Sequence, residues 1–263
     1  IPVLLGEKDV LKTIQLLPGV NAGTEGTSGF YVRGGGADQN LMILDEAPVY
    51  NASHLLGFFS VFNSDAIKDM ELYKGNAPAE YGGRLSSVLD IHMNDGNSKK
   101  RAVSGGIGLL SSRLTFEAPI VKDKGSFIIS GRRTYADMFL VFSKDPEKKN
   151  TKLYFYDLNA KANYKINSKN RIFLSGYFGR DIFKLSNLIG FNWGNNTGTL
   201  RWNHIFGNKL FLNSSLIYSN YNYGIGYNVS NNYIEISSGI SDVNLKEDFQ
   251  FYINTRNTLD RKS

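Results

Sequence analysis

Three histidines, His54, His92 and His204, are the only imidazoles in the chain, and cysteine is absent. Metal binding and nucleophilic catalysis need such groups at short, regular spacing with further partners converging on them. These three lie in unrelated settings with no ligand spacing around them. Ser86-Ser87 and Ser111-Ser112 lack the strand–turn–helix context of a nucleophile elbow. Gly34-Gly35-Gly36 lacks the Gly-Lys-Ser/Thr end of a phosphate loop. No enzyme chemistry, metal or cofactor is expected. Without cysteine, disulfides and Cys-built zinc or iron–sulfur sites are excluded, which does not decide the compartment.

What remains is the chemistry of contact. Residues 49–62 hold Tyr50, Asn51, His54 and Phe58 in a stretch that is neither clearly periodic nor polar. It reads either as a buried loop or short helix, or as an aromatic and polar surface presented to a ligand.

The elements around it alternate short apolar runs with Gly-rich turns. Val10, Leu11, Ile14 and Leu17 follow a helical spacing, with Asp9 as cap and Pro18-Gly19 as terminator. Strands are predicted at 30–33, 40–44, 70–73 and 85–93. A short helix is expected from Asn63 or Ser64 through Asp69. The polar run 94–98 marks a boundary, dividing the chain into a mixed α/β domain at 1–98 and a strand-rich part at 99–263.

Beyond the boundary the period changes to two. Tyr154, Tyr156, Leu158, Ala160, Ala162, Tyr164 and Ile166 take one face of a strand, and Phe155, Asp157, Asn159, Lys161, Asn163 and Lys165 the other, wet one. About seven antiparallel strands are predicted, at 103–118, 127–134, 153–166, 171–185, 193–206, 210–223 and 233–253. A short helix is expected at 136–141 and a long loop from 224 to 232. Long strands, short turns at one end and aromatics near strand ends are the pattern of a transmembrane β-barrel. An odd count without closure points to part of a larger barrel, since lipid tolerates no open sheet edge. A soluble sandwich or solenoid is the alternative.

Charge divides at the same boundary. Residues 1–98 carry six Lys/Arg against twelve Asp/Glu, and 99–263 carry 24 against twelve. The positives are scattered through strands and turns, without a compact basic helix, so nucleic acid is not the expected partner. An acidic first part against a basic second part is electrostatically complementary. No run approaches the length of a membrane helix. The chain does not begin with Met and reads as a mature or cut fragment.

Tyr31-Val32-Arg33-Gly34-Gly35, Leu44-Asp45-Glu46-Ala47-Pro48-Val49, Glu71-Leu72-Tyr73-Lys74-Gly75, Ala79-Glu80-Tyr81-Gly82-Gly83-Arg84 and Ser87-Val88-Leu89-Asp90-Ile91 occur in this order ahead of barrel-like strands. In that arrangement the chain resembles the TonB-dependent outer-membrane receptors, with 1–98 as the plug domain and 99–263 as the opening strands of a 22-stranded barrel. It is most similar to the Bacteroidota branch, which includes SusC-like transporters, although Asp45-Glu46-Ala47-Pro48 departs from the commoner Asp-Gly-x-Pro form. The resemblance implies an outer-membrane location among lipid and lipopolysaccharide, and a plug filling the lumen. It also implies uptake of a glycan, peptide or chelated metal, driven by TonB-ExbB-ExbD through a segment absent here. A SusD-like surface lipoprotein would be a partner. A scaffold subunit that moves no substrate is the alternative. Within this frame Tyr50, Asn51, His54 and Phe58 are the expected substrate-facing surface. Arg33 and Arg84 are expected to make charged contacts within the plug or to barrel carboxylates, solvation being the alternative. Gly34, Gly35, Gly75, Gly82 and Gly83 serve turns and close approach.

Overall fold

The computed structural model describes residues 3–4, 7–23, 28–145, 149–185, 188–229, 232–254 and 256–262. Its first third is a small mixed domain. Strands β1 (Val3–Leu4) and β2 (Glu7–Lys8) pair ahead of helix α1 (Val10–Ile14). The Asp9 carboxylate accepts from the Lys12 amide, which satisfies one of the free donors at the helix start. The helix stops short of the predicted 17, because residues 15–19 leave the apolar face for turns, with Leu16 74% exposed. Strand β3 (Val20–Ala22) pairs with β4 (Phe30–Val32).

Next come β5 (Asn40–Leu44), β6 (Ala47–Pro48), β7 (Ser53–His54), β8 (Phe59–Ser60), β9 (Ile67–Tyr73) and β10 (Ser87–Met93). Four of them form one sheet in the order β6-β5-β10-β9, with β5 and β10 parallel. The helix expected from 64 to 69 is absent. The Asn63 side-chain Oδ1 accepts from the Asp65 amide instead, closing a turn of the kind Asn favours, and β9 starts directly at the β-branched Ile67. Val10, Leu11, Ile14, Phe30, Val32, Phe62, Leu89 and Ile91 close a core to which the later strands add only Tyr177. A second, smaller cluster joins Leu55 and Phe59 of this domain to Phe155 and Leu153 of the later strands.

The remaining strands are β11 (Ala102–Ile107), β12 (Ser111–Val121), β13 (Gly125–Thr134), β14 (Lys152–Lys165), β15 (Asn170–Leu185), β16 (Ile189–Ile205), β17 (Leu210–Val229), β18 (Asn232–Asn254) and β19 (Asn257–Lys262). They form one antiparallel meander in chain order. The count is nine where seven were predicted. Residues 108–110 break the expected 103–118 strand in two, and 257–262 adds a last one. The long loop expected at 224–232 is mostly strand, since Gly224, Ile225 and Gly226 pair with Ile236, Glu235 and their neighbours across the hairpin. The helix expected at 136–141 appears as a 3-10 helix, Ala136–Phe142. Among the described residues β11 and β19 each pair on one side only, so the sheet is open.

The two faces of this sheet are inverted relative to a soluble protein. On β14 the polar Asp157, Asn159, Lys161 and Asn163 are buried, whereas Leu158 and Tyr164 are exposed. Register carries an outward apolar row across six strands, through Phe127, Ala162, Leu174, Leu200, Leu216 and Leu245. Leu174 is 58% and Leu245 67% exposed. Such a face has its natural solvent in lipid, with polar residues turned to the lumen. The face read from sequence as wet is the one the first domain covers.

Candidate functional site at the plug–barrel interface

The small domain docks on the polar face of the sheet, and the described ion pairs between them follow one rule with one exception. The domain supplies acids and the strands supply bases. Asp65 meets Arg113 at 2.8 Å, Asp45 meets Lys161 at 3.1 Å, and Glu80 meets Lys262 at 2.7 Å. Asp95 lies 3.1 Å from Lys161 and 3.6 Å from Arg171, while Glu46 sits 3.9 Å from both Arg201 and Lys246. Lys161 also donates to the Met93 carbonyl at 2.9 Å. Uncharged contacts fill the rest, such as Asn63 to Ser130 Oγ at 2.9 Å and Asn163 to the Asp95 carbonyl at 2.9 Å.

The exception is His54, a base on the domain held by acids on the strands. Its Nδ1 is 2.5 Å from Asp181 Oδ2 and its Nε2 is 3.3 Å from Asp157 Oδ2. The Tyr177 hydroxyl lies 3.3 Å from the same Nε2. Arg132 donates Nε and Nη2 to Asp157 Oδ2 at 2.9 and 2.6 Å, and Nη2 also reaches the Ser60 carbonyl at 2.8 Å. The Phe155 ring stacks on the imidazole at 4.0 Å, almost parallel to it, and Asp181 Oδ1 accepts from the Leu55 amide at 2.8 Å. Gly179 makes room: a Cβ there would overlap the Tyr177 hydroxyl. Burial alone pushes the His54 imidazole down, but the two carboxylates, Asp181 foremost, outweigh it and hold its pKa above the ordinary histidine value.

The four residues expected to face substrate therefore separate. His54 is only 1% exposed and lies in the interface between the Asp157 and Asp181 carboxylates of the strands. Tyr50 and Asn51 are half-buried on the wall. The Tyr50 hydroxyl donates to Asp242 and its amide to Asn195 Oδ1 at 3.3 Å, while Asn51 reaches the Tyr221 hydroxyl at 3.4 Å. Burial and the Asp242 bond push the Tyr50 hydroxyl up to about 12. Phe58 remains 51% exposed beside Leu56 at 63%. Beside this apex is a pocket of about 290 Å³, lined by Asn51, Leu56, Phe191, Trp193, Tyr221 and Tyr223. It lies toward the strand ends opposite the short turns 166–169 and 206–209.

Arg33 and Arg84 make no ion pair among the described residues. Arg33 lies against Gly75 inside the domain, and Arg84 is exposed and donates to the Gly83 carbonyl at 2.9 Å. Gly34, Gly75 and Gly83 take positive φ, a Cβ at Gly35 would crowd Ser86, and Gly82 shows neither constraint. The charged interface was legible as a charge difference between halves, but its individual pairs carry no local sequence signal.

Comparison with known proteins agrees with this geometry. Residues 5–87 match the family described as TonB-dependent Receptor Plug Domain. No curated protein sequence matches the chain. The FrpB iron transporter of Neisseria meningitidis (F3-3 variant) is similar with a TM-score of 0.71 at 14% identity, over 97% of this chain and 45% of that one. A mutant of the ferric enterobactin receptor PfeA of Pseudomonas aeruginosa gives 0.70 at 14% identity, over 97% and 46%. The outer membrane transporter YddB of Escherichia coli gives 0.69 at 12% identity, over 95% and 44%. The chain thus spans less than half the length of these structures. Residues 5–87 thus match a TonB-dependent receptor plug domain family, and the chain has the fold of part of these outer-membrane structures.

Proposed function

We propose that the chain is the plug and the opening barrel strands of a receptor that takes up a nutrient across the outer membrane, driven by TonB-ExbB-ExbD. The observation that carries this reading is the separability of the plug. Apart from Tyr177 its main apolar core is built from its own residues, and its hold on the wall is mostly ion pairs and hydrogen bonds, with one small apolar contact where Leu55 and Phe59 meet Phe155 and Leu153. Such a seam is broken and remade in water without exposing much apolar surface. Ligand meets Phe58, Leu56 and the aromatic pocket at the plug apex. A pull on the N-terminal side then withdraws the plug from the lysine- and arginine-lined wall.

The cargo is a glycan, a peptide or a chelated metal; the names of the similar FrpB and PfeA structures put chelated iron first on the panel to test. A Bacteroidota-type receptor with a SusD-like surface lipoprotein is the finer form of the same proposal, resting on the motifs from Tyr31 to Ile91. The test is uptake of labelled candidates by cells with and without the gene, each with and without a functional TonB. The reading predicts loss of one class of cargo in both single mutants. Unchanged uptake of every candidate, with defects in envelope assembly instead, would replace it with a scaffold role.

A further inference from the structure

Every other described plug–wall pair sets a plug acid against a strand base, so the reversed pair at His54 calls for its own account. Three strands converge on the imidazole. Arg132 comes from β13, Asp157 from β14, and Tyr177 and Asp181 from β15, all buried to 4% exposure or less. Asp157 and Asp181 bring two negative charges and Arg132 one positive, so the group is neutral only when His54 is an imidazolium. Both ring nitrogens face carboxylate oxygen, Nδ1 on Asp181 and Nε2 on Asp157, which suits a cation with two N–H donors. A neutral imidazole donating Nδ1–H to Asp181 would leave an Nε2 lone pair that the Tyr177 hydroxyl can serve at 3.3 Å, but that lone pair would also lie 3.3 Å from the buried Asp157 carboxylate.

We propose that His54 is a proton-binding latch: it carries a proton while the plug is seated and gives that proton to water when the plug leaves the wall. Withdrawal breaks the Asp157 and Asp181 contacts together, and His54 in water returns to the ordinary imidazole range, about 6.5. At higher pH the N–H bond then breaks and bulk water or buffer takes the proton. Asp157 keeps Arg132, and Asp181 is left facing the lumen. The reverse holds on reseating, so alkaline conditions loosen the latch and acid conditions secure it.

The sign follows from linkage. A histidine whose seated pKa lies above its free value contributes fully below the free value, and that contribution is lost as pH rises through the seated value. Within that window the seated-to-released ratio falls about tenfold per pH unit. The linkage belongs to the resting protein and does not depend on which cargo is carried. It uses the plug-motion reading only for its physiological consequence.

The experiment is hydrogen–deuterium exchange at the amides of residues 53–60 in the full-length receptor, from about pH 5.5 to about 9, corrected for the intrinsic pH dependence of exchange. The expected result is flat protection below about pH 6.5 and a tenfold loss per unit above it. The slope disappears in His54→Gln, and its upper limit moves toward the ordinary imidazole value in Asp181→Asn. Protection that does not change with pH in the native protein overturns the proposal, as does a slope that survives unchanged in both variants. Should His54→Gln fail to reach the membrane, Asp181→Asn decides alone: a shifted window supports the latch, and an unshifted one refutes it. Because the assay needs no transport, its failure is separate from failure of the uptake reading.

Discussion

Replacing Lys161 by Met tests whether the buried pairs hold the plug in place. Lys161 is 5% exposed, with Asp45 at 3.1 Å, Asp95 at 3.1 Å and the Met93 carbonyl at 2.9 Å. Asp45 is itself 4% exposed, and its Oδ1 also accepts from the Met93 amide at 3.0 Å. Methionine keeps the volume and removes the charge, leaving Asp45 ionised and out of water. Removing one partner of a buried pair costs about 3–5 kcal/mol, mainly because of the charge left behind. Lys262 and Glu80 form a control at the rim, with side chains 38% and 16% exposed, where about 0.2–1 kcal/mol is expected. The assay is the opening free energy of β10 amides by native-state hydrogen exchange in the full-length receptor, comparing Lys161→Met with Lys262→Met. Adding Asp45→Asn to Lys161→Met removes the orphaned charge and recovers part of the loss. Equal small effects from both lysines, or no recovery in the double variant, would refute the reasoning.

Other expectations follow from single contacts. Asp9→Ala removes acceptors for the Lys12 amide, the Ser60 amide at 2.9 Å and the Ser28 hydroxyl at 2.9 Å, so it costs more than the ~1 kcal/mol of an ordinary cap, read from the urea midpoint of plug unfolding. Gly96→Ala, at φ +77° and with its new methyl driven into the Phe127 carbonyl group of β13, strains the connection between plug and first barrel strand; about 1–3 kcal/mol of local opening is expected at β13 amides. Raising salt from about 0.1 M to about 1 M shortens the screening length to about 3 Å, so exchange near Glu80 and Lys262 quickens while that near Lys161 does not.

Much of this architecture was written in local patterns. The alternation through Tyr154, Phe155, Tyr156 and Asp157 fixes a strand and its two faces, and the Asn167-Ser168-Lys169-Asn170 turn sets the register of the next one. The alternation does not say which face is covered. Asp157, Asn159 and Lys161 look like residues in water and are buried, because the plug lies over them. The plug motifs located its strands, but the 64–69 helix failed since capping residues such as Asn63 serve turns equally well. The His54 site was the least legible. Asp181 is 127 residues away in sequence, and only the folding of the sheet around the plug brings it to the imidazole. Arg33 and Arg84 stand out as the two arginines of an acidic domain, yet both make their described contacts within it, at Gly75 and Gly83.

The chain's two tryptophans offer the most direct test of the central claim, that the polar face of this sheet holds the plug while its back faces lipid. Trp193 is 9% exposed and donates its indole N–H to the plug carbonyl of Ser53 at 3.2 Å, whereas Trp202 is 39% exposed on the outward face. In full-length protein reconstituted in brominated lipid, Trp202→Phe should remove a strongly quenched component of the fluorescence, and Trp193→Phe an unquenched one. Quenching that disappears with Trp193 instead, or that neither substitution changes, would contradict the account.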